Sequence, residues 1–238
     1  MKRTERHHLK ENELQTLALQ AREWIDTYRK ETTVVAGVLI AAAVLAGAYL
    51  LWHEHLESRA HGLLAEALAV QEARVTVPGT PGVAGAYPTE RARTQAALAR
   101  FKAAADAYPS TDAGVFARYQ EGVGQVALGN PAAAATIYEE VIRRSGNGLY
   151  GQMARLGLAE AKARAGQYDQ AIATFKELAQ RKEGPLPVDG ILMQLGRAYR
   201  DAGKRVEAQQ TFNKLVEEYP ESPFGAEAKR ELETLKKT

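Results

Sequence analysis

The sequence contains no cysteine. Disulfide staples, thiolate nucleophiles and cysteine metal ligands are thereby excluded, and the absence suits either side of a membrane. Histidine is scarce: only His7, His8, His53, His55 and His61 occur. His53, Glu57 and His61 recur every four residues and can share a helical face. A zinc site there needs a further ligand, and the H-E-x-x-H spacing is missing, so solvated polar residues are expected instead. No glycine-rich phosphate loop and no serine nucleophile elbow is present. The chain is expected to be no enzyme, with no catalytic residue, no metal and no cofactor. An excess of one charge is also lacking. The formal net charge is +2, and the residues after 52 carry 24 basic against 23 acidic side chains. Such a balance gives no general attraction to polyanions, so nucleic acid is not an expected partner.

Long apolar runs are rare too, and the single exception organises the chain. Residues 32–52, TTVVAGVLIAAAVLAGAYLLW, form 21 consecutive uncharged positions. As a helix they extend about 31 Å, close to the roughly 30 Å of a bilayer's hydrocarbon core. Seven Lys/Arg precede this run, and Arg59 is the only one in the 20 residues after it. The positive-inside rule then predicts a cytoplasmic N-terminus and a C-terminal portion on the far side. Trp24 and Tyr28 before the run, and Tyr49 and Trp52 at its end, suit interfacial belts. A cleaved signal peptide has a short positive region, an apolar core of about 7–15 residues and a small-x-small site. The long tail and the exit Leu51-Trp52-His53-Glu54-His55 predict an uncleaved signal anchor instead. Within the tail, Leu14, Leu17, Ala18, Ala21, Trp24, Ile25 and Tyr28 recur at helical spacing, predicting an amphipathic helix that meets lipid or a partner, or simply flanks the anchor.

After the run, Leu56, Ala60, Leu63, Leu64, Ala67 and Leu68 make an apolar stripe, predicting a helix over 53–75. A loop rich in proline and glycine follows at 76–88. Then the chain repeats. Ala97, Ala134, Ala171 and Ala208 are 37 residues apart; four residues after each lies Phe101, Tyr138, Phe175 or Phe212; five before the last three lie Gly129, Gly166 and Gly203. Three features sharing one period define a repeat of two helices joined by a glycine turn. One such hairpin cannot bury its own apolar face, so neighbours must stack. A final amphipathic helix from Ser222-Pro223, with Ala226, Leu232 and Leu235 inward, is expected to cap the array.

These residues resemble the tetratricopeptide repeat. In residues 191–220, Leu195-Gly196, Ala198, Tyr199, Gly203, Ala208, Phe212 and Pro220 fall on the family's positions. Leu158, Ala159, Gly166, Ala171 and Phe175 do so one repeat earlier. Gly122, Gly129, Ala134 and Tyr138 form a third copy, in which Glu121 stands where leucine is expected. Ala97, Phe101, Ala104 and Pro109 match the second helix of a fourth. The resemblance implies an all-α fold: a single N-terminal transmembrane helix followed by a tetratricopeptide-like helical-hairpin solenoid. The expected divisions are a cytoplasmic tail (1–31), an anchor (32–52), an exit helix and loop (53–89), repeats (90–220) and a capping helix (221–238).

In such arrays the first helices line a binding groove. Carried over by position, the groove residues are Phe116 and Tyr119, then Met153, Leu156, Glu160 and Arg164, then Met193, Arg197 and Arg200. Adaptable apolar surface with arginines suits extended or partly unfolded polypeptide. The tail–anchor–repeat order resembles the YfgM-like family of ancillary subunits of the bacterial SecYEG translocon. That resemblance implies a single-pass inner-membrane protein whose periplasmic domain contacts translocon subunits, periplasmic chaperones or exported polypeptides. Residues 218–224, EYPESPF, also resemble periplasmic repeat proteins of envelope assembly and division, which implies a structural adaptor for outer-membrane or cell-wall machinery.

Overall fold

The computed structural model describes residues 19, 22, 29–76, 85–181 and 184–237. The amphipathic tail helix expected on Leu14 to Tyr28 and the greater part of the 76–88 loop lie outside them. The described residues form nine α-helices: α1 (Arg29–Gln71), α2 (Glu90–Ala107), α3 (Asp112–Ala127), α4 (Pro131–Ser145), α5 (Leu149–Arg164), α6 (Tyr168–Gln180), α7 (Val188–Asp201), α8 (Arg205–Glu218) and α9 (Gly225–Lys237). The chain divides into two compact units, Met1–His55 and Leu56–Thr238.

In the first unit, the side chains of Val34, Leu39, Val44, Leu45, Leu50 and Trp52 are all exposed. Among the described residues one helical stretch, Thr33–Gln71, is long and apolar enough to cross a membrane. The mean hydropathy of its most apolar window is 2.5, and none of that window is buried within the protein.

In the second unit, helices pair in the order predicted by the 37-residue period. The part of α1 from Leu56 onward packs with α2, through Ala60, Leu64 and Ala67 against Ala97, Phe101 and Ala104. The helix stops at Gln71, short of the expected Val75, which instead forms an isolated parallel bridge with Tyr87. Hydrogen bonds from Thr76 N–H to the Tyr87 carbonyl (3.0 Å) and from Tyr87 N–H to the Arg74 carbonyl (2.9 Å) close the base of the loop. The pairs α3–α4, α5–α6 and α7–α8 follow, and α9 packs on α8.

Local chemistry sets the ends of these helices. Thr89 and Thr111 accept from the N–H groups of Ala92 (3.1 Å) and Gly114 (3.0 Å), satisfying donors that an open helix start leaves free. Each repeat then turns in the same way. Gly129, Gly166 and Gly203 have φ of 85°, 77° and 73°, a region open to glycine at no steric cost. The residues after them donate five positions back: Asn130 to Gln125 (2.9 Å), Gln167 to Lys162 (2.9 Å) and Lys204 to Tyr199 (2.8 Å). This is the Schellman closure, written three times by one glycine period.

The repeated alanines and aromatics are all buried. Small residues on the facing helices make room for the rings. A Cβ at Gly122 or Gly157 would lie 2.6 Å from the Tyr138 ring, and one at Gly196 would collide with Phe212. Glu121, at the position where leucine was expected, is buried by pairing: it accepts from Arg118 at 2.6 Å, while Arg118 also binds Asp106 on α2 and lies 3.5 Å from Glu140 on α4. The ion cluster thus ties three helices together. In the last helix the inward positions differ from expectation. Ala228 and Leu235 are buried and Leu232 half-buried, but Ala226 is exposed. The helix begins at Gly225 rather than Ser222; before it, the Ser222 hydroxyl donates to Asp189 (2.7 Å) and accepts from the Phe224 N–H (3.1 Å).

Candidate functional site

Within the second unit, the first helices of successive repeats touch each other, α3 with α5 and α5 with α7. Their shared face carries the residues of interest. Phe116 and Tyr119 lie one turn apart on α3 with ring centroids 6.2 Å apart and planes 23° from parallel. Two rings not assigned to the groove from sequence extend this pair. Tyr150, in the first turn of α5, lies 5.7 Å from Phe116 on the face, and Tyr138 of α4, buried in the core behind it, lies 5.7 Å from Tyr119. Tyr150 stands one turn before Met153 on the same helical stripe, and that spacing was the available signal for it.

Met153 and Leu156 are half-buried on α5, with Leu156 leaning into the core shared with α6 and α7. Glu160 is half-buried and Arg164 exposed. Together with Gln194, Arg197 and Ala198 of α7 they border a recess of about 340 Å³ between α5 and α7. Burial pushes the Glu160 carboxyl up, against the pull of Arg164 and Arg197, which favour its charged form. Burial, and then the nearby Glu160, likewise push the Tyr119 phenol up; burial first, and then Tyr119 and Glu160, raise that of Tyr138 strongly.

Met193 does not belong to this face. It is 1% exposed and packs with Leu192, Ala208, Phe212 and Leu215. On α7 this position is core, in a cluster with apolar side chains of α8 and α9. Arg197 borders the recess and Arg200 does not line it, and both are engaged: Arg197 pairs with Glu227, and Arg200 with Glu231 (2.5 Å) and Asp201 (2.8 Å). Hydrogen bonds to Asp201 and Glu231 raise the Arg200 guanidinium further. Among the described residues no group of three or more His, Cys, Asp or Glu side chains is placed to hold a metal ion.

Stacked helical hairpins with first helices side by side, an aromatic run along them and capped glycine turns define a repeat scaffold of the kind that binds proteins. The profile of the tetratricopeptide repeat-like domain matches residues 22–219, and the chain belongs to that family. The domain is a protein–protein interaction scaffold, a fold that is typically non-catalytic. No curated protein matches the chain by sequence. Among solved structures, it is similar to a Podospora anserina protein described as a kinesin light chain with nearly identical TPR-like repeats. The identity is 14%, the TM-score 0.58, and the match covers 75% of this chain and 86% of that one. A single-substitution variant of that protein gives the same score over 85% of its length. YrrB, a TPR protein with an unusual peptide-binding site, is 19% identical with a TM-score of 0.43, covering 59% of this chain and 74% of its own. At such identities the likeness is one of fold.

Proposed function

We propose that this protein is a membrane-anchored, non-enzymatic scaffold whose tetratricopeptide-like domain holds protein partners along the face of α3, α5 and α7. The observation that carries the reading is the aromatic run Tyr150–Phe116–Tyr119 on that face, backed by the buried Tyr138, in a chain whose residues 33–52 leave their apolar side chains uncovered. Aromatic rings supply contact area at low entropic cost and recur at protein-binding hot spots. An uncovered apolar helix of this length is stabilised by lipid.

In this reading residues 1–31 lie in the cytoplasm, 32–52 cross a bacterial inner membrane and the repeats stand in the periplasm. The lysines and arginines clustered before the span support that orientation. The order of tail, anchor and repeats supports a place beside the secretion translocon, as in the YfgM-like family, with periplasmic chaperones or exported polypeptides as the partners. The face residues for them are Phe116, Tyr119, Met153, Leu156, Glu160 and Arg164, to which Tyr150 is added.

Two measurements test this. The chain has no cysteine, so Thr238→Cys gives a single label site. A membrane-impermeant thiol reagent labels it in intact spheroplasts if the domain is periplasmic; labelling only after lysis sinks the orientation. A photo-crosslinking residue at Tyr119 then captures translocon subunits, chaperones or exported chains. Capture of outer-membrane or cell-wall machinery alone would instead make the protein an adaptor for envelope assembly.

A further inference from the structure

The aromatic face is not uniform in charge. At the end nearest α1, Tyr150 sits beside Phe116 and within the influence of two carboxylates. Burial first, then Asp112 and Glu57, push its phenol up. Glu57 is fixed in place because its Oε1 accepts the Asp112 backbone N–H at 2.8 Å. Its Oε2 is buried with no hydrogen-bond donor, and the imidazole of His61 is 4.0 Å away. The Asp112 carboxylate forms no ion pair among the described residues. The arginines nearby in sequence are committed elsewhere: Arg118 to Asp106 and Glu121, and Arg155 to the Gly146 carbonyl at 2.8 Å. Arg164 and Arg197 lie at the other end, about Glu160. One end of the face therefore offers ring surfaces next to carboxylates that, among the described residues, no lysine or arginine pairs with, His61 at 4.0 Å from Glu57 being the one titratable base beside them. Ring faces attract cations through their quadrupole, and adjoining carboxylates add to that attraction.

We propose that this end is a subsite for a cationic side chain, a lysine or arginine of an extended polypeptide lying along α3 and α5, held between the Phe116 and Tyr150 rings and the Glu57 and Asp112 carboxylates. The proposal rests on the scaffold reading above and adds to it the charge of the partner. An acidic segment meets the same two carboxylates as repulsion and is rejected, so the subsite selects among exposed polypeptides as well as holding them.

The test uses the full chain in detergent micelles and two fluorescein-labelled unstructured peptides, identical except that one carries lysines where the other carries glutamates. Fluorescence anisotropy should show the lysine peptide binding about fivefold tighter or more, with the difference shrinking as salt is added. The variant E57Q/D112N, which keeps an oxygen to accept the Asp112-position N–H, should bring the lysine peptide down to the level of the glutamate peptide. Its melting curve, read by circular dichroism, should match that of the parent. Equal binding of the two peptides by the unaltered chain, a comparison that needs no variant to fold, overturns the proposal and leaves the scaffold reading standing. So does a lysine preference that E57Q/D112N leaves intact. Binding of neither peptide overturns both.

Discussion

The ring of Tyr138 lies so close to Gly157 that a Cβ on that glycine would stand 2.6 Å from it. Tyr138 belongs to the second helix of one repeat and Gly157 to the first helix of the next, so this contact is where two repeats are joined. A Cβ on Gly122 would meet the same ring at the same distance. Gly157→Ala should therefore cost about 1–3 kcal/mol, the usual penalty of overpacking a filled core, despite alanine's better helix propensity. Thermal melting by circular dichroism reads the loss, and a rise in melting temperature would mean that the helices part more easily than this packing implies.

The buried Arg118 cluster makes a second prediction. Removing the guanidinium by Arg118→Met leaves Glu121, whose side chain is 7% exposed, without its cation. Stranding a buried charge costs about 3–5 kcal/mol. Adding Glu121→Leu, the residue that the repeat pattern favours, should recover most of that stability, because the apolar pair no longer has a charge to compensate. Urea denaturation of the single and double variants separates the two, and a double variant as weak as the single would refute the account.

Glu160 gives a prediction in pH. Burial raises its folded-state carboxyl above the ordinary value. Between the unfolded and the raised folded value the folded chain binds the extra proton, so this group's contribution falls as pH rises through that window and is least favourable once the carboxylate is ionised. Glu160→Gln should stabilise the domain more at about pH 7 than at about pH 4, the region of an ordinary glutamate. Chemical denaturation at the two pH values measures the difference, and a gain that is the same at both would show that ionisation is not its source.

The last helix closes the array. Deleting residues 221–238 uncovers Leu192 and Met193 and frees Arg197 and Arg200 from Glu227 and Glu231. Hydrogen exchange in α7 and α8 should accelerate while α3 and α4 keep their protection, since stacked repeats depend on their nearest neighbours. By contrast, Glu227→Gln alone should change stability by less than about 1 kcal/mol, because that pair is about one-third exposed. Uniform loss of protection along the chain would mean that the repeats do not open separately.

The sequence by itself determined the repeat. Alanine, aromatic and glycine at one 37-residue period specify hairpins that must stack, and each glycine lies where a left-handed turn is required. It also determined the apolar run at 32–52, since length and lack of charge are local properties. Part of the proposed face was legible for the same reason: Phe116 and Tyr119 on α3, and Met153 and Glu160 on α5, each follow a helical stripe. Tertiary structure decided the rest. Met193 became core in a cluster with side chains of α8 and α9, and Arg197 and Arg200 were claimed by acids 30 and 31 residues later. Glu121 is buried against Arg118, one turn earlier on its own helix, and Arg118 is in turn held by Asp106 of α2 and faced by Glu140 of α4. Tyr150 joined Phe116 across a gap of 34 positions, and Glu57 reached the start of α3 from 55 positions away. Helical periodicity records which residues share a face; which charge or ring stands opposite that face depends on the neighbouring helix, and no local pattern encodes it.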